Sequence, residues 1–181
     1  MVFTPESGGL ETGRRGQMRT TPDGPVVVSV KTFGALLAIR REKLLESMYG
    51  SVVMPMSGYD GLRDKLAASG CPDWLDVKDD LPQVQLPPRL VAVGGHDGAS
   101  LQLALGIGAS LVLIEEPVKE KAKLSFIKAE GTVSILVMAY RLGLLTAVPP
   151  MVKALGKLGY RDVLPPSDQL KALWVALDAM G

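Results

Sequence analysis

Short apolar runs alternating with stretches of helical length set the strongest constraint on what this chain can fold into. PVVVSVKTF (25–33) is rich in β-branched residues, follows the turn-forming Asp23-Gly24-Pro25, and reads as a first strand. SVVMP (51–55) is a second strand stopped by proline, DWLDV (73–77) alternates like a third, and SLVLI (110–114) reads as a buried fourth. Between and after them lie helical patterns. GALLAIRREKLLESMYG (34–50) carries Leu36, Leu37, Leu44, Leu45 and Met48 at near-helical spacing, with Gly50 just past its end. Residues 57–70 read as a helix capped by Ser57 and stopped by Gly70, and 98–108 as a helix opened by Asp97 or a neighbour. Further helices are expected over 117–129, 132–145, 149–160 and 166–180, the last capped by Ser167 with Leu170, Leu173, Trp174 and Leu177 on one face. Residues 78–89 are polar and proline-punctuated, hence a loop. Such alternation predicts an α/β domain with a largely parallel sheet. Right-handed crossovers then align the strand C-termini along one rim, where ligands of such sheets bind.

Composition narrows the chemistry. Of 181 residues 47% are hydrophobic, which suits one domain with a sizeable core. The net charge of +1 supplies no overall field toward nucleic acid or an anionic membrane. Cys71 and His96 are each the single residue of their type, so no intrachain disulfide, cysteine zinc cluster or histidine-based metal site is expected, and a reducing cytoplasmic setting fits. Residues 1–24 are polar and glycine-rich, without the apolar core of a secretion signal, and are expected as a flexible N-terminal tail ahead of one domain over 25–181. No apolar run approaches the roughly 18 residues that a membrane span needs, so no membrane partner is expected.

The run LVLIEEPVKEKAK (111–123) raises the question of function, because an apolar strand ends in paired acids on the predicted rim. Glu115 and Glu116 have two readings. Asp97, Asp60 and Asp64 could share the rim, and converging carboxylates hold Mg²⁺ or Mn²⁺, hard ions that prefer oxygen and that activate water against a phosphodiester. Alternatively, Glu115 and Glu116 face the positive end of a helix that Pro117 begins, and Asp97 is a plain N-cap. VGGHDG (93–98) brings glycines between a strand and a helix, yet lacks the spacing of a P-loop or a dinucleotide fingerprint, and His96 reads as a solvent-facing loop residue. Basic residues gather at Arg40, Arg41 and Lys43, and again at Lys119, Lys121, Lys123 and Lys128 beside the paired acids. The second group could hold a phosphate backbone or be a solvated helix face. Aromatic residues make up only 5%, against a base-stacking platform.

Taken in order, LLESMYGSVVMP, HDGASLQLALGIGASLVLIEE, EGTVSILVMAYRLGLL and MVKALGKLGY resemble the segments of PIN-domain proteins, VapC-related ones in particular, over roughly 150 residues. That resemblance implies a three-layer α/β/α domain with a mainly parallel central sheet. It also implies an acidic cluster binding Mg or Mn that cleaves RNA, often as the toxin of a toxin–antitoxin pair, and frequently a homodimer. The implied metal ligands are Asp97, Glu115, Glu116 and Asp60, with Asp97 and Glu115 as the catalytic pair.

Departures from the pattern are specific. The family's first acid falls near Val30, Lys31 or Thr32, and no acid occurs from Pro25 to Arg41. The acid of the next helix falls near Gly61, with Asp60 adjacent but turned by about 100°. Asp97 is one methylene shorter than the acid it matches, and Glu115 and Glu116 one longer. Mg²⁺ demands near-octahedral placement, so the expectation is a PIN-like, VapC-related protein whose metal-dependent ribonuclease site is weakened or lost while RNA or partner binding persists. The alternatives are an active endoribonuclease toxin with a shifted ligand set, and a non-catalytic module that dimerises through apolar helices such as 132–145.

Overall fold

The structure, a computed structural model, describes residues 22–179. Residues 1–21 of the expected tail, and Met180 and Gly181, lie outside the described residues. Five strands, β1 (Val26–Val28), β2 (Val52–Pro55), β3 (Leu75–Lys78), β4 (Leu111–Leu113) and β5 (Ala129–Glu130), form one sheet in the order β3-β2-β1-β4-β5. Every pairing is parallel, as the alternation of elements predicts. The helices are α1 (Val30–Ala38), α2 (Lys43–Tyr49), α3 (Met56–Asp60), α4 (Arg63–Leu66), α5 (Gly95–Gly106), α6 (Val118–Lys123), α7 (Thr132–Arg141), α8 (Pro149–Lys157) and α9 (Ser167–Asp178).

Strand side chains alternate between faces, and both faces are buried. Val26, Val28 and Leu113 pack with Phe33 of α1, Leu45 of α2, Leu136 of α7 and Leu155 of α8. Val27, Val112 and the adjoining Ile114 pack with Leu101 and Leu103 of α5 and Val118 of α6. This is the three-layer α/β/α arrangement, and it explains the uninterrupted apolar runs: a central parallel strand has no solvent face. Phe33, Leu36 and Leu136 are wholly excluded from solvent, and burying a side chain of this size contributes roughly 1.5–3 kcal/mol.

Several elements begin or end elsewhere than the sequence pattern predicts. The first strand stops at Val28 because Ser29 caps α1, its Oγ accepting from the Thr32 N–H at 3.3 Å. Lys31 and Thr32 are therefore helical, in the first turn on the rim. The single helix predicted over 34–50 is two, separated where Arg40 adopts the left-handed conformation. The helix predicted over 57–70 is likewise two short ones, and Ser57 does not cap the first. Its N–H donates instead to Asp80 Oδ1 at 3.1 Å. Asp97 is not an N-cap either; α5 starts one turn earlier, from Gly94. Pro166, not Ser167, precedes α9.

Gly98 positions the start of α5. A Cβ built there would lie 2.5 Å from the Val93 carbonyl oxygen, so helix and preceding loop approach too closely for any side chain. In an exposed helix interior Gly→Ala gains about 1 kcal/mol. Here Gly98→Ala is expected to destabilise by about 1–3 kcal/mol through overpacking, read as a lower midpoint in a thermal melt.

Candidate functional site at the strand-order reversal

In the order β3-β2-β1-β4-β5 the chain direction of travel across the sheet reverses between β1 and β4. Open α/β sheets bind ligands in the crevice outside the strand ends at such a point. Ser29, Lys31 and Thr32 follow β1 there, and Glu115 and Glu116 follow β4. Gly131 and Thr132 follow β5 at the next position.

Glu115 is the centre of this rim. It is only 4% exposed, and its Oε1 accepts three hydrogen bonds: from the Thr132 N–H at 2.7 Å, from Thr132 Oγ1 at 2.5 Å and from Thr32 Oγ1 at 2.9 Å. Ser29 Oγ in turn donates to Thr32 Oγ1 at 3.2 Å. One carboxylate thus ties the ends of β1, β4 and β5 together. Burial pushes the Glu115 carboxyl above its ordinary range, and the threonine hydrogen bonds with the charge of Lys119 pull against it. Gly131 leaves the room: a Cβ there would sit 2.7 Å from Glu115 Oε2.

Glu116 faces outward. Its Oε1 pairs with Lys119 Nζ at 3.1 Å and its Oε2 accepts from the Glu120 N–H at 3.2 Å, which makes it an acid at the positive end of α6. Glu116 thus takes the helix-start role that the sequence offered, whereas Glu115 turns inward to the threonines. Both line a cleft of about 790 Å³, with Lys119, Lys121, Ser134 and Asp162 among its other walls.

Asp97 lies in the first turn of α5 and is partly buried. Desolvation raises its carboxyl, opposed by the charges of Lys31 and His96. Lys31 is itself paired with another acid. Its Nζ lies 2.5 Å from Asp162 Oδ2, and that contact holds the Asp162 carboxyl below its ordinary range. Asp60 is exposed and turned to Arg63, 2.6 Å away. A side chain at the neighbouring position 61 would instead point at His96 and Val30, since a Cβ on Gly61 would lie 3.5 Å from His96 Nε2 and from Val30 Cγ2.

As placed, Asp60, Asp97, Glu115 and Glu116 do not fit one shared divalent ion. Three donors crowd Glu115 Oε1, Glu116 serves Lys119 and a helix, Asp60 serves Arg63, and the charges that bear on Asp97 are those of Lys31 and His96. Among the described residues, no group of three or more His, Cys, Asp and Glu side chains is placed to hold a metal ion. No described helix is long and apolar enough to cross a membrane.

Thr32, Thr132 and Asp162 are the members of this rim that sequence reasoning missed. Gly131-Thr132 at the head of an apolar helix was a usable signal, because a hydroxyl beside a helix start is placed to bond a neighbouring polar group. Asp162, in the short 3₁₀ turn Arg161–Val163, carried no local signal. Compared with known proteins, the chain matches no family model, no curated protein and no solved structure.

Proposed function

We propose that this chain is a PIN-like, VapC-related protein of the metal-dependent ribonuclease type, whose Mg²⁺ or Mn²⁺ site is weakened or lost and which keeps RNA or a protein partner as its ligand. The observation that carries this reading is Lys31. It stands on the rim where the resemblance calls for the first carboxylate, its ammonium 2.5 Å from Asp162 and acting on Asp97. A fixed positive charge among acids supplies the neutralisation a divalent ion would otherwise give, and it repels that ion. The threonines around Glu115 support the same reading, since Oε1, already accepting three hydrogen bonds, has little left to offer a metal and bidentate coordination is disfavoured. In this reading the protein is cytoplasmic, and an antitoxin-like partner and a homodimer belong to the same proposal. The dimer would use apolar surface of the kind that Met138 leaves exposed on α7.

The competing reading, an active endoribonuclease with Asp97 and Glu115 as catalytic ligands, is favoured by the position of Glu115 after β4 at the strand-order reversal and of Asp97 in the first turn of α5. A labelled single-stranded RNA incubated with the protein and Mn²⁺ separates the two. The expected result is retention in a gel shift at low salt without cleavage. Mn²⁺-dependent cleavage that disappears in Asp97→Asn would establish the competing reading instead.

A further inference from the structure

Phe126 is placed in a way that folding alone does not account for. Its side chain is 99% exposed, and its backbone is left-handed at φ 61°. It closes α6: the Phe126 N–H donates to the Lys123 carbonyl and the Ile127 N–H to the Ala122 carbonyl, the pattern in which glycine normally stands at this position. A phenylalanine there is disfavoured twice, once by the Cβ in the left-handed region and once by an aromatic ring held in water. Residues held in strained backbone conformations cluster at active sites and ligand clamps.

Its surroundings indicate which ligand. Lys121, Lys123, Leu124 and Lys128, close to it in sequence, are all exposed, Leu124 at 53%. From Lys119 to Lys128 the chain carries four lysines against the single Glu120, while the whole molecule carries a net charge of only +1. Lys119 is engaged with Glu116, and Lys123 reaches Glu130 only at 3.8 Å. Lys121 also lines the cleft at Glu115 and Glu116, whose walls carry the acids Glu120 and Asp162 as well. Cations that take phosphates beside one aromatic face that takes a base are the elements of single-strand recognition. Few aromatic residues argue against a platform of several rings, but a single exposed ring suffices for one base.

We propose that the α6 C-terminus is a single-stranded RNA contact, with Phe126 stacking one base and Lys121 and Lys128 holding the flanking phosphates. This inference rests on the RNA-binding reading above and gives it a surface. The test is fluorescence polarisation with a labelled 12-nucleotide oligouridine at two salt concentrations, alongside thermal melts. Wild type is expected to bind more weakly at the higher salt. Phe126→Ala should weaken binding about 5- to 100-fold, and Lys121→Glu with Lys128→Glu should weaken it and flatten the salt dependence. Phe126→Gly should lose the same affinity while melting at or above the wild-type midpoint, which separates loss of contact from loss of fold. Wild-type binding that Phe126→Ala leaves unchanged overturns this surface and spares the RNA reading. No wild-type binding overturns both. Wild-type sedimentation with phosphatidylserine vesicles, abolished in Phe126→Ala and without RNA binding, would assign the knob to a membrane surface and overturn the proposal.

Discussion

Replacing Glu115 by alanine is expected to lower the thermal midpoint by on the order of 10 °C. The Thr132 N–H and the hydroxyls of Thr132 and Thr32 all donate to Glu115 Oε1 in a buried setting. Removing their acceptor costs about 1–3 kcal/mol for each donor left unpaired. A total near 3 kcal/mol, after hydroxyls rotate and water enters, corresponds to that shift at roughly 2–4 °C per kcal/mol for a chain of this size. Glu115→Gln keeps an acceptor at the same place and should lose far less. The pair of variants also reads the buried charge. Because the folded Glu115 carboxyl is raised, the folded state binds more protons than the unfolded state between the two pKa values. Wild-type stability therefore rises as pH falls through that window, and Glu115→Gln should lack this component. A midpoint in Glu115→Ala within about 2 °C of wild type would mean that the strand ends are not held by this carboxylate.

Much of the architecture was legible because it follows from local rules. Uninterrupted apolar runs such as SLVLI and VVV mark strands covered on both faces, and β4 and β1 pair in parallel as that implies. What was not legible depends on groups distant in sequence. β5 is two residues long, and its pairing with β4 defines it more than any pattern of its own. Ser57 has the chemistry of an N-cap, yet Asp80 from a distant loop takes its N–H and leaves the serine hydroxyl buried without a partner. Arg40 breaks a long helical pattern through a left-handed residue that propensity alone does not announce.

The candidate site divides the same way. Glu115 and Glu116 were visible as acids ending a buried strand, while their opposite roles were not. One turns into the threonine network and the other outward to Lys119, a difference set by which face each successive residue takes as the chain leaves the sheet. Lys31 was visible as a cation where a carboxylate was expected. Its partner Asp162 lies 131 positions away and could come only from the fold.

Manganese titration calorimetry of wild type beside Lys31→Asp tests the central claim most directly, that a resident ammonium has taken the place of a metal-binding carboxylate. Reversing one charge about 5 Å from a divalent ion changes their unscreened interaction by on the order of 10 kcal/mol at an effective dielectric near 20, and solvent exposure leaves only part of that. The expected result is no saturable Mn²⁺ heat for wild type at millimolar ion, and binding at least about 100-fold tighter for Lys31→Asp. Tight, saturable binding of Mn²⁺ to the wild-type protein, lost in Asp97→Asn, would contradict the account.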